Sequence, residues 1–207
     1  MTFSIAILAV VLAYTWVIDP IAPGWVTPIP VILVLALAVW HHAATEARVG
    51  AEGSSWGFTP SAFVPALWRA ALLTALAAIA IAIAGAHLGT WHDDPGLAAS
   101  LALLIPWGFG QQFALQTVFL REARTRVGRP VGIVLAAMLF AALHLPNPFL
   151  TAMTFTGALA WCWIYDRYPN VLPLSLSHAL LTLAILRAFD AATTGHLRVG
   201  AAYLSLR

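Results

Sequence analysis

Charge is what this sequence has least of. Asp, Glu, Lys and Arg together make up 9% of its 207 residues, whereas 61% are hydrophobic. A soluble domain carries nearer 25% charge, and a chain this apolar has little surface to offer water. There is no lysine, and the ten basic residues are all arginines gathered in a few loops. A nucleic-acid binder would show a basic face, so that class is set aside. Cysteine occurs once, at Cys162, which excludes a disulfide framework and any CxxC metal or redox motif. That residue reads as a small buried apolar group. No internal repeat, low-complexity tract or domain boundary is visible, and residues 1–207 read as a single integral membrane domain. A basic segment is also missing ahead of the first apolar run, and Asp19-Pro20 stands where a cleavage site would be expected. Residues 3–18 therefore read as a retained span and not as a signal peptide.

What the sequence has in abundance is apolar runs approaching 20 residues, enough to cross a hydrocarbon core of about 30 Å at about 1.5 Å per residue. The expected spans are about 3–18, 25–41, 61–88, 97–120, 130–145, 149–165 and 171–188. The fold class is thus all-α, a polytopic membrane bundle of about seven transmembrane helices. Trp25, Trp40, Trp161, Trp163, Tyr165 and Tyr168 suit the interfaces. His41 and His42 point about 100° apart on a helix and read as interfacial. Residues 43–60 read as a loop or surface-lying segment. His92, Asp93 and Asp94 read as an acidic turn capping the helix that starts near Gly96. Gly85 and Gly89 form a GxxxG that permits close helix contact. Arg121, Arg124, Arg126 and Arg129 share one loop, which the positive-inside rule makes cytoplasmic, and counting back puts the N-terminus there too. Counting forward leaves Arg187, Arg198 and Arg207 on the far side unless the C-terminal segment folds back. The tail from Gly195 is too short to span and is expected on the surface.

Three of the apolar segments each carry a small polar cluster: Gln111, Gln112 and Gln116; His144; and His178 with Ser177 and Thr182. Amides and imidazoles at membrane depth are costly unless they meet partners, so they are expected to face a bundle interior or a wet cavity. Gln112 and Gln116 stand at i and i+4 on one face, with Gln111 about 100° away. Thr182 is one turn beyond His178 on the same face. The bland reading is hydrogen-bonded glue between helices; the sharper one is convergence on a single intramembrane site.

The order and spacing of these clusters resemble the CPBP family of intramembrane proteases, also called the CAAX-protease and bacteriocin-processing or Abi family. Its pattern is Glu-Glu-x-x-x-Arg, then Phe-x-x-x-His, then His-x-x-x-Asn on a later span. This chain has Gln111-Gln112-x-x-x-Gln116, Phe140-x-x-x-His144 and His178-x-x-x-Thr182, and the likeness covers about 100–188 with the N-terminal spans at about 3–88 outside it. The resemblance implies catalysis by Gln111, Gln112, His144, His178 and Thr182. It gives supporting or substrate-binding places to Gln116, Phe140, Asn147 and Ser177. It further implies a bacterial cytoplasmic membrane, and as partners the lipid bilayer and a membrane-embedded peptide or lipidated protein tail.

Both family carboxylates are amides here. Gln cannot accept a proton near neutral pH, and general-base help is typically worth about 10²–10⁴ in rate. Glu122 lies ten residues past Gln112, about 15 Å along a helix, and Asp166 is at a span end. A divalent metal such as zinc would have His144 and His178 as ligands, which is fewer than the three that a catalytic zinc site uses. Three functions follow. The first is an endopeptidase in which His144 or His178 is the base and the Gln111 and Gln112 amides steady the oxyanion. The second is a pseudoprotease that binds such a peptide as chaperone, immunity factor or adaptor. The third is a transport or structural subunit.

Overall fold

The computed structural model describes residues 1–21, 28–49, 56–93 and 96–206. Among these the chain is helical, with no strand and one isolated bridge between Phe58 and Asn170. Helix α1 runs Thr2–Ala13 and continues as a π-helical turn, Tyr14–Ile18. α2 is Pro28–Val49 and α3 is Pro60–Leu88. α4, Leu97–Ala114, passes through a second π turn, Leu115–Leu120, into α5, Arg121–Val127. α6 is Arg129–Ala142, α7 Pro148–Arg167 and α8 Val171–Ala188. The short α9, Ala191–Thr194, and α10, Gly200–Leu204, complete the order.

Two of these helices, α3 and α8, are long and apolar enough to cross a membrane by themselves. They differ in what they bury. α3 turns a broad apolar face outward, with Trp68 73% and Ile83 65% exposed, whereas α8 buries ten residues, from Val171 through Ala188. The centre is the continuous rod α4–α5, whose π turn is buried at every position from Leu115 to Leu120. Leu115, Val118, Phe119 and Leu120 meet Ala136, Ala137 and Phe140 of α6 and Leu174 of α8 in one core.

Small residues set the closest approaches. A Cβ on Gly85 would collide with the backbone of Ala188, and one on Gly108 would crowd the Ser175 carbonyl at 3.0 Å. α3 and α4 thus both press against α8 where a side chain is missing. Gly89 ends α3 in the left-handed region at φ 68°, a conformation that a Cβ disfavours.

Several expectations need adjusting. α2 continues to Val49, so residues 43–49 are helical where a loop was expected; Ala, Glu and Arg are good helix formers. The rest of that stretch, 50–55, and Trp25 lie outside the described residues, as does Asp94. Asp93 does not cap α4, whose N-cap position is Gly96 and which has no side-chain cap. Its carboxylate instead accepts from Arg187 at 2.8 Å. α6 stops at Ala142, short of His144, because Pro146 has no N–H to give the Ala142 carbonyl; Leu145 donates there at 3.3 Å. The tail folds back onto the bundle: the Gly200 N–H donates to the Leu145 carbonyl at 2.8 Å, and Gly200 lies against the Thr15 backbone.

Candidate active site

A cavity of about 1170 Å³ lies among the helices. Its walls are mostly apolar, from Ile7 and Val11 of α1, Leu73 and Ile81 of α3, and Leu143 after α6. Into it come Gln111, His144, His178 and Thr182. Four of the polar residues picked from the sequence thus meet at one place, from α4, α8 and the turn after α6.

The two imidazoles are held differently, His144 by its own motif and His178 by other helices. Leaving α6, the chain tightens into i→i+3 bonds, Leu143 to Phe140 and His144 to Ala141. This brings the His144 ring back onto its own helix, where Nδ1 lies 3.0 Å from the Phe140 carbonyl. The Phe140 ring then touches both histidines, tilted at 5.2 Å from His144 and edge-on at 6.2 Å from His178. Phe-x-x-x-His is therefore a mechanical unit: one residue supplies the carbonyl that orients the imidazole and the ring that spaces the pair.

His178 is more enclosed. Trp161 stacks on it at 4.8 Å and 22°. The Trp161 indole N–H donates to the Ser177 hydroxyl at 3.0 Å, and the Thr74 hydroxyl, which donates to the Ala70 carbonyl at 2.6 Å, lies 2.7 Å from that same oxygen. Gly157 leaves room for the Trp161 ring, which a Cβ there would meet at 2.9 Å. Ser177 thus supports His178 through Trp161 and ties α3, α7 and α8 together. Trp161 and Gly157 were missed from the sequence, where the tryptophan reads as part of an interfacial belt; its burial at 4% exposure places it in the core.

Behind His178 stands an amide chain. Gln116 Nε2 donates to Gln112 Oε1 at 2.9 Å, and Gln112 Nε2 lies 3.3 Å from His178 Nδ1. Both glutamines are buried, and neither lines the cavity. Gln112 is therefore engaged at both ends, and of the two amides expected to face an oxyanion only Gln111 reaches the cavity. Gln111 Oε1 is buried without a partner. Thr182 donates its hydroxyl hydrogen to the His178 carbonyl at 3.0 Å, a bond within its own helix. Its oxygen is left with acceptor capacity only.

Asn147 is placed elsewhere. Its Oδ1 accepts from Leu150 N–H at the start of α7, and its Nδ2 donates to the carbonyls of Thr194 and Arg198 at 2.8 and 3.0 Å. It clamps the tail and does not line the cavity. The clamped tail does: Leu197, Arg198, Val199, Ala202 and Ser205 form part of the wall, near Tyr14 and Asp19. Asp19, exposed and accepting from the Tyr14 hydroxyl at 3.0 Å, also had no sequence signal beyond a turn.

The other two carboxylates considered from the sequence are engaged away from the cavity. Glu122 accepts from the Ser4 N–H and hydroxyl and from the Phe3 N–H. Asp166 pairs with Arg124 at 2.8 Å and with Arg129. Among the described residues no three His, Cys, Asp or Glu side chains gather as a metal would need. At the site itself, Nδ1 of each histidine already has a partner, leaving two Nε2 atoms, one short of a catalytic zinc set. The donor set does not fit zinc.

Among curated proteins and solved structures none matches this chain. A family model does match, over residues 94–184: Type II CAAX prenyl endopeptidase Rce1-like. The matched segment runs through α4–α8 and contains Gln111, His144, His178 and Thr182. Over these residues, somewhat under half of the chain, the sequence is similar to the Rce1-like type II CAAX prenyl endopeptidases, consistent with the CPBP-type order of its motifs.

Proposed function

We propose that the protein is an intramembrane endopeptidase of CPBP type that works without the two family glutamates, cleaving membrane-anchored or lipidated protein tails. One observation carries this reading: Gln111, His144, His178 and Thr182 converge on a single large, mostly apolar cavity. Apolar walls suit a substrate delivered from lipid, and a few convergent polar groups suit chemistry on it. The exposed apolar face of α3 supports a bilayer setting, because Leu72, Leu76 and Ile79 would otherwise face water. We place α1–α8 in the bacterial cytoplasmic membrane as about seven spans, with the N-terminus and the 121–129 arginines on the cytoplasmic side.

The reaction is water addition. An imidazole lone pair takes one proton from water, the oxygen bonds to the scissile carbonyl carbon, and the carbonyl oxygen becomes an oxyanion facing N–H donors. Collapse breaks the C–N bond, and the proton goes to the leaving nitrogen. The products are a carboxylic acid and an amine, which exchange the remaining proton to leave a carboxylate and an ammonium.

The test is cleavage of membrane-anchored peptides by the purified protein in liposomes, followed by mass spectrometry beside His144→Ala and His178→Ala. Cleavage by the parent that falls at least about 10²-fold in each variant is expected. Gln111 and Gln112 in place of both family glutamates favour one second reading, a pseudoprotease. Peptides bound by the parent but left intact would establish that reading instead.

A further inference from the structure

The two histidines are alike in sequence but are held in opposite ways. His144 Nδ1 faces a backbone carbonyl, which accepts only, so that nitrogen carries its proton and Nε2 keeps a lone pair. His178 Nδ1 faces an amide nitrogen, which donates only, so Nδ1 keeps the lone pair and Nε2 carries the proton. What turns the Gln112 amide nitrogen toward His178 is the residue one helical turn on: Gln116 Nε2 holds Gln112 Oε1 on the other side. We propose that Gln116 and Gln112 form a directional amide chain that fixes His178 as the Nε2–H tautomer, opposite to His144. The cavity then meets one imidazole lone pair and one imidazole N–H.

The direction of the chain follows from what each alternative leaves unmet. As it stands, the group without a partner is the carbonyl oxygen of Gln116. Turning both amides over would put an NH₂ group in that place, burying two donors without acceptors. Buried carbonyls go unpaired more readily than buried N–H groups, so the first arrangement is the stable one. The opposite tautomers also divide the labour in the endopeptidase reading, on which this part of the inference rests. His144 Nε2 takes the water proton, and His178 Nε2–H faces the oxyanion, a donor that Thr182 cannot supply. Gln112 and Gln116 touch no substrate and are positioning residues.

The test is ¹⁵N NMR of the histidine rings of the full chain in detergent at neutral pH, with the two resonances assigned by His144→Gln and His178→Gln. In the parent, His178 is expected with Nδ1 unprotonated and His144 with Nδ1 protonated. Gln112→Glu puts an acceptor opposite His178 and reverses its tautomer, leaving His144 unchanged. Gln112→Leu removes the anchor, and His178 becomes a mixture of both forms. With that loss, peptide cleavage falls about 10²-fold in kcat with KM little changed. Finding His178 protonated on Nδ1 in the parent overturns the proposal without any variant having to fold. An unshifted His178 resonance in folded Gln112→Glu also overturns it. If the tautomers are as assigned and no peptide is cut, the endopeptidase reading fails while the amide chain stands.

Discussion

Two polar clusters sit on the continuous rod α4–α5, and they solve the same problem in different ways. In the middle of the rod, Gln112 and Gln116 bury neutral amides that meet an imidazole and each other. At its end, Glu122 buries a carboxylate that collects the Ser4 hydroxyl at 2.6 Å, the Ser4 and Phe3 N–H groups, and the Met1 ammonium at 3.4 Å. A full charge is affordable where a helix N-terminus and an ammonium are at hand. Deep in the bundle, among the described residues, Gln112 and Gln116 meet an imidazole and each other, and amides take the place of a charge. The difference teaches that the missing site carboxylates belong to a region built to stay neutral, while the acid ten residues away serves α1.

Breaking the charged cluster has the largest expected effect. Glu122→Ala leaves the donors of Phe3 and Ser4 without their acceptor, at a cost of about 2–4 kcal/mol, read as the fall in unfolding midpoint in detergent. Because Ser4 acts only through Glu122, Ser4→Ala in that background adds far less than it does alone. The pH dependence follows from the same contacts. Glu122 lies past the expected span end at 120; burial pushes its carboxyl up, but the Ser4 and Phe3 hydrogen bonds and the ammonium hold it below the usual glutamate range. A depressed carboxyl stabilises the fold above its unfolded value and loses that contribution as pH falls through the folded one. Acid should therefore loosen the parent protein and leave Glu122→Gln nearly indifferent. Equal acid sensitivity in both would dissolve the contrast between the clusters.

Asn147→Ala comes next. It removes the cap of α7 and both amide bonds that hold the tail, a loss of about 1–3 kcal/mol. Limited proteolysis should then cut within 191–206 sooner than elsewhere, while the histidine resonances stay in place. Movement of those resonances would mean that Asn147 reaches the site after all.

The amide cluster was legible in the sequence because its geometry is local. Gln112 and Gln116 stand one turn apart, as do Phe140 and His144, and helical spacing alone puts each pair together. What could not be read are the particular bonds made across the chain. Asn147 is grouped with the supporting or substrate-binding residues in the sequence; its carbonyl partners at 194 and 198 belong to a tail that no periodicity placed. Ser177 was read beside His178, yet its hydroxyl serves Trp161 on α7 and Thr74 on α3. The bond from Glu122 to Ser4 spans 118 positions. The extent of α2 was obscured for another reason, since Thr45, Glu46 and Arg48 interrupt the apolar run while Ala43, Ala44 and Ala47 keep good helix propensity.

Ser177→Ala sharpens the comparison further, because it disturbs the neutral region without touching an amide. Trp161 and Thr74 both lose the oxygen they share, at about 1 kcal/mol in stability. The Trp161 ring is then held by packing alone, so its stacking on His178 loosens, and peptide cleavage should drop several-fold with the His178 tautomer unchanged. A tautomer change would mean that the ring stack, and not the amide chain, sets the proton.

The smallest effect is expected at a charge that resembles Glu122 only on paper. Asp93 pairs with Arg187 at 2.8 Å, yet it is 92% exposed. Water screens such a pair and already solvates both partners, so exposed ion pairs contribute little. Arg187 also lies over the Trp91 ring, and its own carbonyl accepts from His92 N–H at 2.9 Å, contacts that do not need the carboxylate. Asp93→Asn should leave the unfolding midpoint and its acid dependence where they are. A clear shift would show that charge at this end of the bundle is as tightly bound as at Glu122, and the distinction would then be one of chemistry rather than burial.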